Sequence, residues 1–185
     1  CDKEMPEFFE MLKGTITECQ EKIDIDFERA VKSMVIAPNQ EISYYETAIK
    51  YLDLYKGEPE CIKNKAKAYY HLGLIYDEEG NTEEALQHYF KARELDKELA
   101  PVYTKVGDLF FSKEEYEVAI AFYKTVKHDF KIKPCIKKLI EKNPENPKIM
   151  MRVAEYFSSI ELNEKAIKYY QYAQSLAQDD QMKSE

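Results

Sequence analysis

The feature that most restricts the fold of this chain is an internal repeat. Tyr69-x2-Leu72-Gly73-x2-Tyr76, followed by Ala85-x3-Tyr89-x2-Ala92, returns 34 residues later as Tyr103-x2-Val106-Gly107-x2-Phe110, followed by Ala119-x3-Tyr123-x2-Val126. A third copy, Met150-x2-Val153-Ala154-x2-Phe157 and then Ala166-x3-Tyr170-x2-Ala173, lies 47 residues further on, so 13 residues are inserted, around Pro134 to Asn146. Self-similarity at such a period marks an array of stacked units, each too small to bury its own apolar face. Nine positions of the three copies call for a small residue and eight hold Gly or Ala, in a 185-residue chain with only 14 Ala and 5 Gly. Paired helices approach closely only where the facing side chains are small, and large neighbours then fill the space around the crossing.

The rest of the chain is also helical in pattern. Ile16, Cys19, Ile23, Phe27, Ala30 and Met34 keep helical spacing for more than five turns, and strand-like alternation is absent. The punctuation agrees. Pro38-Asn39 ends one segment and Asn39 caps the next; Gly80-Asn81-Thr82-Glu83-Glu84 reads as a helix stop, an Asn cap and a capping-box Glu. Ser112 with Glu115 reads as a second capping box, and Asn146-Pro147 as a cap followed by Pro at the first helical position. These signals predict helices over 4–13, 15–37, 41–56, 60–79, 82–96, 100–112, 115–130, 134–142, 147–159 and 163–178. The short connections imply antiparallel neighbours.

On these motifs, residues 66–178 resemble the tetratricopeptide repeat family, and Ala92-Arg93-Glu94-Leu95-Asp96 resembles the family's end of the second helix. The chain departs from the family pattern at Lys97, where Pro is expected, at Ala154, where Gly is expected, and at Met150, which stands in place of Tyr. The resemblance implies an all-α fold, a right-handed superhelix of antiparallel helix hairpins. It divides the chain into an N-terminal helical extension (1–65, with a degenerate repeat around Ala48 and Leu52), repeats at 66–99, 100–131 and 147–178, an inserted segment at 132–146, and a frayed tail at 179–185.

In such an array the first helix of each pair lines a concave groove. The residues that the packing motif leaves for it are Lys67, Tyr70, His71 and Leu74, with Asp77 and Glu78; then Thr104, Lys105, Asp108 and Phe111; then Lys148, Met151, Arg152 and Glu155, with Ser158. Both charges, aromatic rings and a thioether suit a peptide or helix of a partner protein. Chaperone-binding members of the family clamp a C-terminal carboxylate with Lys and Asn on the first two repeats and Lys and Arg on the third. Lys148 and Arg152 match that third-repeat half, but Tyr70, Leu74 and Lys105 occupy the other clamp positions, which argues against this subclass. Tyr169, Tyr170 and Tyr172 lie near the end of the array, where further repeats, a partner or a second copy would cover them.

Charge excludes other classes. With 27 basic and 35 acidic residues the net charge is −8, a field that repels nucleic acid and anionic lipid. No apolar run approaches the roughly 20 residues that span a bilayer. Cys1, Cys19, Cys61 and Cys135 are scattered, without C-x-x-C or a His at metal-ligand spacing, so neither a metal site nor a disulfide framework is expected. Inert thiols in a reducing, cytoplasmic compartment are the simpler reading. The alternative makes Cys1 the lipid-attachment residue of a membrane-anchored lipoprotein facing the periplasm or cell exterior.

His71, His88 and His128 form no metal or catalytic spacing, glycine-rich phosphate loops are missing, and Cys61 and His71 stand about 15 Å apart along one helix. Glu78-Glu79, Glu83-Glu84 and Glu114-Glu115 read as capping and solubility residues. No catalysis, cofactor, metal or nucleic-acid partner is expected. The sequence points to a scaffold or adaptor for protein–protein interaction, part of a larger protein or complex. Its alternatives are the lipid-anchored assembly factor of an envelope complex and a module that self-associates through its C-terminal helix.

Overall fold

The structure is a computed structural model that describes residues 41–53 and 59–184. The helices expected over 4–13 and 15–37, the Asn39 cap, Cys1 and Cys19 lie outside the described residues. Among the described residues there are eight helices: α1 (Glu41–Leu52), α2 (Pro59–Glu78), α3 (Thr82–Leu95), α4 (Ala100–Ser112), α5 (Tyr116–Thr125), α6 (Asp129–Lys142), α7 (Pro147–Ser159) and α8 (Asn163–Ser184). They fall into two compact units that divide within α4, after Lys105.

In the first unit α1 packs on α2, and α2 on α3. Tyr45 faces His71 and Asp53 faces Lys65, so the partners run in opposite directions along α1 and α2. Tyr45, Ala48, Ile49 and Leu52 of α1 share a buried cluster with Cys61, Ala68 and Leu72 of α2. The reason for an apolar stripe on α1 is therefore local: it covers the face of α2 that carries Cys61, Ala68 and Leu72. Between α2 and α3 the small residues lie where the repeat put them, with Ala85 and Ala92 fully buried.

The second unit is built around Tyr116, Ala119 and Tyr123 of α5, Ile132, Cys135, Ile136 and Leu139 of α6, and Val153 and Tyr156 of α7. Helix α8 pairs with α7, where Phe157 stacks on Tyr169 at 5.4 Å. Ala154, Ala166 and Ala173 are buried at that pairing, as the third copy of the motif requires.

One backbone device ends four of these helices. Gly80, Glu114 and Glu161, equivalent positions of the three copies, all have positive φ (77°, 61° and 61°). After each, an amide donates five residues back: Asn81 N to Tyr76 O, Glu115 N to Phe110 O, and Leu162 N to Phe157 O, at 2.8–2.9 Å. This is the Schellman closure, in which one left-handed residue satisfies the last carbonyls of the helix.

The fourth instance corrects the sequence reading. The predicted helix over 115–130 is broken: Lys127 takes φ 54°, and His128 N donates to Tyr123 O at 3.0 Å. Helix α6 then begins at Asp129, five residues earlier than expected, and carries Pro134 inside it. Pro134 falls in the second turn of α6, past the amides that lack an intrahelical partner, so its missing N–H removes one bond of the ladder.

Two caps also differ. Asn81 stands at the N-cap of α3 but its side chain makes no cap bond, and Ser112 ends α4, its hydroxyl donating to Leu109 O at 2.8 Å. The Schellman turns place the next helix start two residues after the left-handed residue, which takes over the role given to the capping boxes. Asn146 does cap α7 as expected, its Oδ1 accepting from Lys148 N and Ile149 N at 3.0 and 3.4 Å, with Pro147 following. Helix α8 continues to Ser184 where a frayed tail was expected from 179, since no Gly or Pro interrupts it.

Candidate functional site

The repeat's packing tyrosines set what the first helices can offer. The ring of Tyr89 on α3 lies against Gly73 of α2, and the ring of Tyr123 on α5 against Gly107 of α4. Each phenol then reaches a carboxylate on the first helix: Tyr89 donates to Asp77 at 3.4 Å and Tyr123 to Asp108 at 2.6 Å. Burial foremost, and these carboxylates next, push both phenols above the usual tyrosine range. Two acidic residues expected to face a partner are thus engaged inside the fold.

Of the remaining candidates of the first unit, Glu78 is exposed and the others are half-buried. His71 stacks on Tyr45 with ring centroids 5.1 Å apart and planes within 6°, so its ring lies against α1. Tyr70 meets His71 edge-on at 5.6 Å and Tyr89 at 5.9 Å. Lys67 donates to Asn64 Oδ1 at 3.5 Å, and Lys105 pairs with Asp77 at 3.5 Å. Leu74 and Thr104 are half-buried on α2 and α4.

In the second unit Asp108 also takes Lys131 of α6, with Nζ 2.5 and 2.7 Å from its two oxygens. Phe111 packs edge-on against Tyr116 at 5.4 Å. Both therefore hold α4 to α5 and α6. The exposed candidates lie on α7: Lys148, Met151, Arg152 and Glu155. Met151 is 42% exposed, a large apolar side chain left to solvent. Arg152 forms an ion pair with Glu117 of α5, which raises its pKa.

That ion pair borders a pocket of about 260 Å³ between α5, α6 and α7. Its walls are apolar, from Ile120, Ile136, Leu139 and Val153; Glu117, Lys124, Arg152 and Glu155 add charge, and Tyr156 closes it. Sequence reasoning named Arg152 and Glu155 but missed Glu117, Lys124 and Tyr156. No spacing could have found them, because the pocket depends on where the inserted α6 packs. Among the described residues, no group of three His, Cys, Asp or Glu could hold a metal ion, and no helix is long and apolar enough to cross a membrane.

Residues 66–99, which contain α2's repeat motif and all of α3, match the tetratricopeptide repeat family. The chain carries a tetratricopeptide repeat. The matched segment holds Gly73, Tyr89, Ala85 and Ala92, the residues whose packing is described above. Beyond this repeat, the chain is similar to solved structures of MamA. One crystal structure shares 21% identity, covering 82% of this chain and 86% of that one, with a TM-score of 0.36. Another shares 19% identity, covering 98% and 96%, with a TM-score of 0.37. None of the curated proteins compared with the chain matches it. Tetratricopeptide repeats are scaffolds for protein interaction, and that general role is the one the repeat gives this chain.

Proposed function

We propose that the chain is an adaptor that binds a peptide or helical segment of a partner protein on the first-helix faces of its repeats. The supporting observation is the contrast between the two helices of each hairpin. The second helices spend Tyr89, Tyr123 and their alanines on packing, while the first helices leave Tyr70, Leu74 and Lys67 half-exposed and Met151 and Lys148 exposed. Apolar anchors next to cations suit a partner segment with apolar and acidic side chains. The thiols of Cys61 and Cys135 are buried and in no disulfide among the described residues, which accords with a reducing compartment, and a cytoplasmic location is part of this reading.

Affinity capture from native lysate tests it, with wild type beside a folded triple variant, Lys67→Glu, Lys105→Glu and Arg152→Glu. A partner captured by wild type and lost by the variant supports the first-helix faces. The same partner retained by the variant places binding elsewhere.

A second reading, self-association, is favoured by α8, which leaves Ile167, Tyr172 and Met182 exposed at 56, 43 and 68%. Light scattering across a concentration series decides it: a monomer at high concentration removes this reading.

A further inference from the structure

The α5–α6–α7 pocket owes its existence to the insertion. Without α6, Ile136 and Leu139 would be absent and the cleft beside α5 and α7 would lie open. At about 260 Å³ it falls below the roughly 300–1,000 Å³ of sites for drug-sized molecules, so it has room for one side chain and not for a cofactor.

The charges at the pocket narrow the occupant. Arg152 and Glu117 neutralise each other. Lys124 is exposed at the end of α5 and has no ion pair among the described residues, while Glu155 is exposed on α7. One cation and one anion are left to meet a partner. Tyr156 is 5% exposed, and its hydroxyl has no hydrogen-bond partner among the described residues. Buried hydroxyls are nearly always bonded, so an acceptor arriving with a partner would complete this one after a small side-chain movement.

We propose that this pocket takes one bulky apolar side chain of a partner peptide in which that anchor is flanked by an acidic residue on one side and a basic residue on the other. The acid meets Lys124, the base meets Glu155, and the anchor lies against Ile120, Ile136, Leu139 and Val153. The proposal shares with the adaptor reading the premise that the partner is a protein, and Arg152 and Glu155 of α7 border both surfaces. Its test rests on Lys124 and on Ala121, which also lines the pocket; both lie outside the first-helix faces, so each idea can fail alone.

The test is an array of synthetic nonapeptides with Leu or Phe at the centre, flanked by two acids, two bases or one of each, with matching arrays centred on Ser. It is probed with the full chain as wild type, as Lys124→Glu and as Ala121→Trp. Ala121 and Lys124 are exposed, so both variants should fold, which thermal melting checks. Wild type should prefer the mixed-charge peptides with an apolar centre by at least tenfold over those centred on Ser. Lys124→Glu should shift the preference to two bases, and Ala121→Trp, which fills the pocket, should abolish it. An unchanged flank preference in Lys124→Glu, undiminished binding by Ala121→Trp, or no preference for an apolar centre overturns the proposal.

Discussion

The ring of Tyr123 fills the space that a side chain on Gly107 would need: a Cβ built there comes within 2.5 Å of the ring. Gly73 and Tyr89 repeat the relationship one unit earlier, again at 2.5 Å, and both rings are buried. Neither glycine has a left-handed backbone, so size alone selects it. Gly107→Ala or Gly73→Ala must displace an aromatic ring tied by its hydroxyl to Asp108 or Asp77. Each should destabilise by about 1–3 kcal/mol, the usual range for overpacking, read as a lower urea midpoint. Gly107→Ala combined with Tyr123→Leu should lose less than the two single changes added, because the clash is shared. Strict additivity would show that the ring and the glycine do not meet.

The left-handed residue Lys127 gives a prediction of opposite sign. A non-glycine residue there costs about 1–2 kcal/mol, part of which glycine returns through its freer unfolded chain. Lys127→Gly should therefore raise stability by about 1 kcal/mol in denaturant unfolding, while Lys127→Pro, whose ring excludes positive φ, should be strongly destabilising. A destabilised glycine variant would mean that α5 does not end there.

His88 makes the first unit sensitive to acid. Its ring stacks on Tyr76 at 5.2 Å and on Tyr69 at 5.9 Å. Burial lowers its pKa, with Lys91 adding to the effect while Glu46 and Glu84 oppose it. A base whose folded pKa is depressed contributes stability that is present above its unfolded value near 6.5 and is lost as pH falls through the folded pKa. Wild type should lose more stability between pH 7.5 and 5 than His88→Gln does. Equal losses would assign the acid sensitivity to carboxylates.

The thiols of Cys61 and Cys135 are 2% and 0% exposed. Burial pushes the Cys135 thiol up to about 11, and its Sγ donates to Lys131 O at 3.2 Å. With Cys1 and Cys19 replaced by serine, a thiol reagent at pH 8 should label these two only as fast as the fold opens, and addition of urea should speed both together. Rapid labelling of Cys135 without denaturant would contradict the packing of α6.

The hairpins were legible because their packing leaves a compositional trace. Gly73 and Gly107 have no room for a Cβ against the facing tyrosine rings, Ala85 and Tyr89 are fully buried, and helices α2, α3, α4 and α7 follow the predicted ranges closely. The end of α5 was not legible, because it rests on a backbone torsion that Lys127 adopts without the glycine that normally signals it. The candidate face was legible as a set of helix positions. Its chemistry was not: Asp108, Phe111 and Arg152 look available on a helical wheel, and only the placement of Tyr123, Tyr116 and Glu117 shows them taken.

The four Schellman turns differ in residue, Gly at one and Glu, Lys and Glu at the others, yet close in the same way. A hinge of this kind is written in torsion rather than in letters. It can appear inside a long amphipathic helix by the flip of a single residue, turning one rod into two without any change in chain length. The step from α5 to α6 has that form: the torsion at Lys127 begins the odd helix, the inserted residues give it length, and together they add a new cleft.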